Sequence, residues 1–306
     1  MTASREPTSM DVVTETGVVT APTSSELDGA MQVADAAARA AGVSVRTLDG
    51  LADLEQVVAL FSEIWDRAGS PPMTLELLRA FAKAGNYVAG AFANGRMVGA
   101  CVGFFHAPAE DSLHSHIAGV SPAATGRSIG FALKLHQRAW AVARGVGEIA
   151  WTFDPLVARN AYFNLAKLGA RPVEYLPNFY GAMDDGINGR DESDRLLVRW
   201  RLADPGVSLA CAGGGVGAHA EEERAAGAVV ALGPDRNGAP LPGRLGAGVS
   251  LVGVPADIGR LRATDPAMAR SWRLAVRHTL TGLLGDGAGR IEGFDRSGWY
   301  VVRREQ

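Results

Sequence analysis

Apolar positions recur at helical spacing in "LADLEQVVALFSEIWDRA", where Leu51, Leu54, Val57, Val58, Phe61, Ile64 and Trp65 fall on one face. The pattern predicts an amphipathic helix with Asp49 as its cap. Upstream, the Ala-rich run "ELDGAMQVADAAARAAG" predicts a helix stopped by Gly42, and "VSVRTL" alternates as a strand. A further helix is expected over 72–84. "YVAGAFA" and "RMVGACVGFFHA" are apolar runs joined by Asn94-Gly95, the dipeptide that most favours a tight hairpin, so an antiparallel pair is expected. A strand over 113–120, a helix over 129–143, the strand "EIAWTFD", a helix over 159–168 ended by Gly169 and the late strand "DRLLVRWRL" complete the run. This order is that of a mixed α/β layer whose first half is antiparallel.

The two ends differ in texture. Residues 1–25 are dominated by Thr, Ser, Pro and acidic side chains, too poor in apolar groups to offset the entropy of ordering, so a disordered tail is expected. Residues 26–203 form the mixed layer. The stretch 204–246 is rich in Gly, Ala and Pro without sustained periodicity and reads as a linker or loose insertion. Over 247–306, "VSLVGVP", a helical run through "DPAMARSWRLAVRHTLTGLLG" and the strands "RIEGF" and "WYVVRR" are enough for a small α+β unit. No repeat of fixed period is present.

Charge and cysteine content narrow the partners. With 30 Lys and Arg against 33 Asp and Glu, the net charge of -3 offers no basic field to nucleic acid or an anionic membrane, and small-molecule partners are expected. The two cysteines, Cys101 in a strand and Cys211 beside "GGG", fit neither a disulfide framework nor metal-ligand spacing, which suits a reducing cytoplasm. No leader and no apolar run of about 18 residues is read, so an unexported protein without a membrane span is expected.

The chemistry concentrates in "HSHIAGVSPAATGRSIGFALKLHQRAW", which runs from strand through a Gly-containing loop into helix. Such a helix start aims unpaired N–H groups at one point and is an anion site by construction, with Arg127 adding a cation and Thr125 and Ser128 adding hydroxyls. On the loop alone, a phosphate cradle and a bare corner both stand. A dinucleotide-binding unit does not, because the three-glycine fingerprint and its acidic partner are missing, and there is no Walker lysine.

The run "GVSPAATGRSIGFAL" resembles motif A of the GNAT superfamily of acyl-CoA-dependent N-acyltransferases, and "DPLVARNAYFNLAKLGA" resembles the neighbouring motif B. The likeness spans roughly 43–202. It implies a GNAT-like, mostly antiparallel sheet flanked by helices, followed by the smaller C-terminal extension. It also implies acetyl-CoA or another acyl-CoA as co-substrate, with the pyrophosphate on Thr125, Gly126, Arg127, Ser128, Ile129 and Gly130, the pantetheine and thioester on the backbone of Ala118 and Val120, and Asn160 as a further coenzyme contact. Thr125 and Ser128 depart from the motif, which usually has Gln or Arg and Gly there; a Ser is strained if its φ is positive. The acceptor is expected to be a primary amine on a small molecule such as an amino acid, with succinyl an alternative to acetyl.

His114 and His116 lie two apart on the strand and so point to one face, next to the thioester-binding backbone. Arylalkylamine N-acetyltransferases in the superfamily carry a similar His-x-His as a base relay, and an imidazole titrates near neutrality. His116 is placed ahead of His114 as the base. A zinc reading would need His106 or Asp154 as a third ligand, and no metal is expected. Leu165 stands where many GNAT enzymes carry a proton-donating Tyr, leaving Tyr162 and Tyr180 as the candidates for the acid. Trp151, Phe153 and Phe179 are candidates for an apolar acceptor pocket. A catalytically lapsed acyl-CoA-binding module is the alternative.

Overall fold

A computed structural model describes residues 24–66, 70–107, 110–181, 183, 191–215, 217–246, 248–285 and 287–304. The tail expected over 1–25 therefore lies outside the described residues, apart from its last two positions. Helix α1 (Ser24–Ala41) ends at Gly42, whose φ of 66° is open to glycine at little cost. β1 (Ser44–Thr47), α2 (Leu51–Trp65), α3 (Leu75–Lys83) and the hairpin β2 (Tyr87–Ala93) and β3 (Arg96–Phe105) follow. Asp49 does not cap α2: it falls one residue too early, Gly50 is the N-cap, and the Asp49 carbonyl accepts from Arg79 instead. In α3 the cap is Thr74, whose hydroxyl accepts from Leu77 N at 3.3 Å.

β4 (Ser112–Val120), α4 (Ile129–Val142), β5 (Glu148–Phe153) and α5 (Ala158–Ala161) come next, and α5 widens into a π-helical turn over Tyr162–Lys167. β6 (Arg171–Leu176) and β7 (Arg195–Arg201) close a seven-stranded sheet of order β1-β2-β3-β4-β5-β7-β6. The β4–β5 pair is parallel and the rest of this sheet is antiparallel. α1 and α4 cover one face, and α2 and α3 the other.

The stretch expected to be a linker or loose insertion, 204–246, carries regular elements. It holds α6 (Pro205–Leu209), α7 (Ala220–Ala225), β8 (Val229–Pro234) and β9 (Pro240–Pro242). β8 lies inside a five-stranded sheet of order β11-β12-β10-β8-β9, completed by β10 (Val249–Gly253), β11 (Gly289–Asp295) and β12 (Trp299–Arg304). A short central strand is apolar throughout, as "VVAL" is, and carries no alternation to read. Between β10 and β11 run α8 (Ile258–Thr264) and α9 (Pro266–Leu284).

One apolar cluster joins the two sheets, combining Leu165 and Tyr175 with Trp272, Val276 and Phe294. A buried ion-pair network crosses the same junction. Asp154, just past β5, accepts from both terminal nitrogens of Arg273 at 2.8 Å and from Arg262 at 2.6 Å, while Asp191 accepts from Arg273 at 3.0 Å and Arg262 at 3.1 Å. Alongside, Arg277 binds Asp194, which also accepts from the Tyr175 hydroxyl at 2.6 Å, and the Tyr300 hydroxyl donates to Pro155 O at 2.8 Å. α8, α9 and β12 thus grip the corner that leads into α5.

Candidate functional site

β4 meets β5 only at Ser112↔Glu148, Leu113↔Ile149 and His114↔Ala150. Beyond His114 the strands part, and the β5-facing edge of Ser115 to Val120, which includes Ala118, has no strand partner among the described residues. On the other edge the register with β3 slips, since Val102 and Gly103 pair with Ile117 and Ser115, so His116 is the extra residue of a β-bulge. The bulge falls where β4 leaves β5.

The strict alternation expected of His114 and His116 is broken by that bulge, yet both rings stay beside Phe104, with centroids 5.0 and 5.7 Å away and 6.2 Å from each other. His106 lies 5.9 Å from His114 and bonds Glu110 at 2.8 Å. Burial, followed by the charges of His116, His106 and Lys134, lowers His114 to about 4. Withdrawal from water also lowers His116, although its side chain keeps solvent access. Both imidazoles are therefore neutral at pH 7, the form that accepts a proton. No group of three His, Cys, Asp or Glu arranged for a metal occurs among the described residues.

The loop after β4 makes a 3-10 turn over Pro122–Ala124 and then enters α4. The first helical bonds come from Phe131 N and Ala132 N, both to Ser128 O, so the N–H groups of Ile129 and Gly130 precede the ladder. Gly126 has φ 87°, and a Cβ there would meet open space; at Gly130 it would meet only Val120 Cγ2 at 3.9 Å. Room for an anion is therefore present at the turn. The Arg127 side chain is engaged elsewhere: its Nη2 donates to Ala41 O at 3.2 Å and Gly42 O at 3.3 Å, capping α1. Thr125 Oγ1 turns back to Ser121 O at 3.5 Å.

Ser128 sits in the left-handed region at φ 60° and makes no side-chain cap bond. A non-glycine residue there carries about 1 kcal/mol of strain. Ser128→Gly is expected to raise the unfolding free energy by about that amount, read from chemical denaturation; an unchanged or lower midpoint would show that the hydroxyl holds the turn.

On the β5 side, Thr152 shares the sheet face of Ala150, the partner of His114. Its hydroxyl is 3.1 Å from that of Tyr180, which is exposed and T-stacked on exposed Phe179. Tyr162 packs instead against the core, with the Arg296 guanidinium 5.9 Å from its ring. Asn160 is exposed and makes no side-chain bond among the described residues, while Asn164 is buried and accepts from Trp151 Nε1 at 3.2 Å. Trp151 and Phe153 are buried in the core rather than lining an acceptor surface.

Three polar side chains escape a reading by spacing. Lys134 and Gln137 of α4 are buried beneath the sheet with Ser115 of β4: Lys134 Nζ donates to Ser115 Oγ at 2.8 Å and Gln137 Oε1 at 3.1 Å. In sequence they sit among His136 and Arg138 and look like a solvated helix face.

Residues 30–163 match the family model described as Acetyltransferase (GNAT) domain. No curated protein matches the chain. Among solved structures, the chain is similar to the ribosomal-protein-S18-alanine N-acetyltransferase from Escherichia coli, at 16% identity and TM-score 0.42, covering 53% of this chain and 95% of that one. It is also similar to the ribosomal-protein-alanine N-acetyltransferase from Brucella melitensis, at 20% identity and TM-score 0.43, covering 52% and 99%. A third, from Salmonella typhimurium and solved with its cofactor acetyl-CoA, has 16% identity and TM-score 0.43, covering 53% and 95%.

Proposed function

We propose that the chain transfers an acetyl or succinyl group from the corresponding acyl-CoA to a primary amine on a small molecule, an amino acid being the preferred class, by direct attack. The observation that carries this reading is the parting of β4 from β5 at His114, which opens a strand edge that leads through the turn at 121–128 to the helix start at Ile129 and Gly130. The pyrophosphate would rest on the N–H groups from Gly126 to Gly130, and the thioester along Ala118 and Val120. His116, with His114 behind it, would take the proton of the amine. Tyr180 is better placed than Tyr162 to face the acceptor, since it lies on the histidine face at Thr152.

Direct attack, rather than a covalent acyl-enzyme, is supported by the thiols. Burial pushes Cys211 up to about 11 and raises Cys101 as well, so neither supplies thiolate at neutral pH. No helix among the described residues is long and apolar enough to cross a membrane; a cytoplasmic setting is part of the proposal.

Acetyl-CoA and succinyl-CoA should each be tested for thermal stabilisation of the protein, and for thiol release across a panel of amines. A saturable shift with turnover on at least one amine is expected. Absence of both would sink the reading. A shift without turnover would favour the lapsed binding module, for which Ser128 at positive φ and the buried Leu165 speak.

A further inference from the structure

Lys134 is 5% exposed, and no carboxylate pairs with it among the described residues. Its Nζ lies 3.8 Å over the Trp151 ring of β5 and 2.8 Å from Ser115 Oγ of β4, so it bridges the two strands where they separate. Ser115 is the residue just before the bulge at His116. Gln137 Nε2, on the same helix face, is buried without a partner, and so is Ser112 Oγ on β4. A solvated lysine head costs several kcal/mol to bury without a counter-charge. The bonds to Ser115 and Gln137 and the Trp151 face offset part of that cost without supplying a counter-charge, and they aim the ammonium at Ser115 where the two strands separate.

We propose that Lys134 and Ser115 form the proton relay for the departing thiolate, the role for which Leu165 has no donor. This rests on the acyl-transfer reading above. The amine nitrogen forms its bond to the thioester carbonyl carbon, and the C–S bond breaks with its electron pair going to sulphur. The Ser115 hydroxyl gives its proton to that sulphur as the Lys134 ammonium gives one to Ser115 Oγ. Lys134 is left neutral and regains a proton from water when the thiol leaves, while the proton shed by the amine reaches solvent through His116.

Burial lowers Lys134 to about 8. The groups around it are Cys101 of β3, whose Sγ is 3.9 Å from Ser115 Oγ, Gln137 of α4, Trp151 of β5, His114 of β4 and, one strand further, Tyr87 of β2. The donor form is present below about pH 8 and disappears above it.

The test uses the full chain with acetyl-CoA and an amine that the wild type acylates. Lys134→Met keeps the volume and removes the charge. It should lower kcat by about 10²-fold, leave KM for acetyl-CoA within a few-fold, and abolish the fall of kcat above about pH 8. Ser115→Ala, which retains the amine, should lower kcat at least tenfold with the same KM. As a readout that needs no turnover, the Lys134 side chain of the wild type, followed by isotope-labelled lysine NMR, should titrate higher with coenzyme A bound than without. A kcat and alkaline limb unchanged in Lys134→Met would overturn the relay, as would full activity in Ser115→Ala if the lysine variant does not fold, or an unmoved Lys134 titration in protein saturated with coenzyme A. A wild type that does not bind coenzyme A at all would instead overturn the acyl-CoA reading itself.

Discussion

Arg273→Met is expected to destabilise the protein by about 3–5 kcal/mol, the usual cost of removing one partner from a buried, hydrogen-bonded ion pair. Arg273 is 1% exposed and holds Asp154 with two bonds of 2.8 Å while also binding Asp191, so its loss removes hydrogen bonds that neutralise these two acidic groups and leaves them with Arg262 and, at Asp154, the charge of Arg195. The exposed pair Arg46–Asp53 serves as the comparison, because Arg46→Ala at the surface should cost no more than about 1 kcal/mol. Urea denaturation of both variants separates them, and a loss below about 1 kcal/mol for Arg273→Met would mean that the network contributes nothing net. The same network sets an acid limit. Burial raises the Asp154 carboxyl, but Arg273 and Arg262 outweigh it and hold the group at about 2, below its ordinary 3.8. A depressed carboxylate contributes stability that is complete above pH 3.8 and is lost as the pH falls towards about 2.

His116→Ala is expected to lower turnover by about 10²-fold with little change in acyl-CoA binding, within the usual span for loss of a general base. The imidazole must be neutral to accept the proton, and burial lowers its affinity for that proton below the ordinary 6.5. The acid limb of the rate should therefore lie below pH 6.5 in the wild type and flatten in the variant. His114, lowered to about 4, is neutral near pH 6, so His114→Ala should slow turnover and leave the acid limb in place. Equal turnover of wild type and His116→Ala would remove the base from the mechanism.

Much of the first sheet was legible because its signals are local. The Asn94-Gly95 hairpin, the glycine stop at Gly42 and the amphipathic α2 each follow from a few neighbouring residues. β6 was not legible: "RPVEYL" is a short edge strand with Pro172 inside it, and only its pairing with β7 shows it to be one. β8 and β9 were hidden in a Gly- and Pro-rich stretch whose order comes from tertiary pairing with β10. In the site, the strand, loop and helix start could be read from spacing, but the bulge at His116 depends on the β3 register. The engagement of Arg127 with α1 and the burial of Lys134 and Arg273 were likewise invisible, since a lone basic residue on a helical pattern reads as solvated until its neighbours in space are known.

The most direct test of the central claim, that the edge of β4 and the start of α4 hold an acyl-CoA, is equilibrium binding of acetyl-CoA to the wild type and to Gly130→Asp. The variant separates binding from folding: a Cβ at Gly130 has space, and a carboxylate in the first turn of a helix is favourable to the helix dipole by about 0.3–1 kcal/mol. The same charge repels a pyrophosphate held on those N–H groups. Saturable binding to the wild type, at least tenfold weakened in a Gly130→Asp variant of equal or greater thermal stability, is the expected result. No binding to the wild type, or equal binding to both proteins, would contradict the assignment of this site.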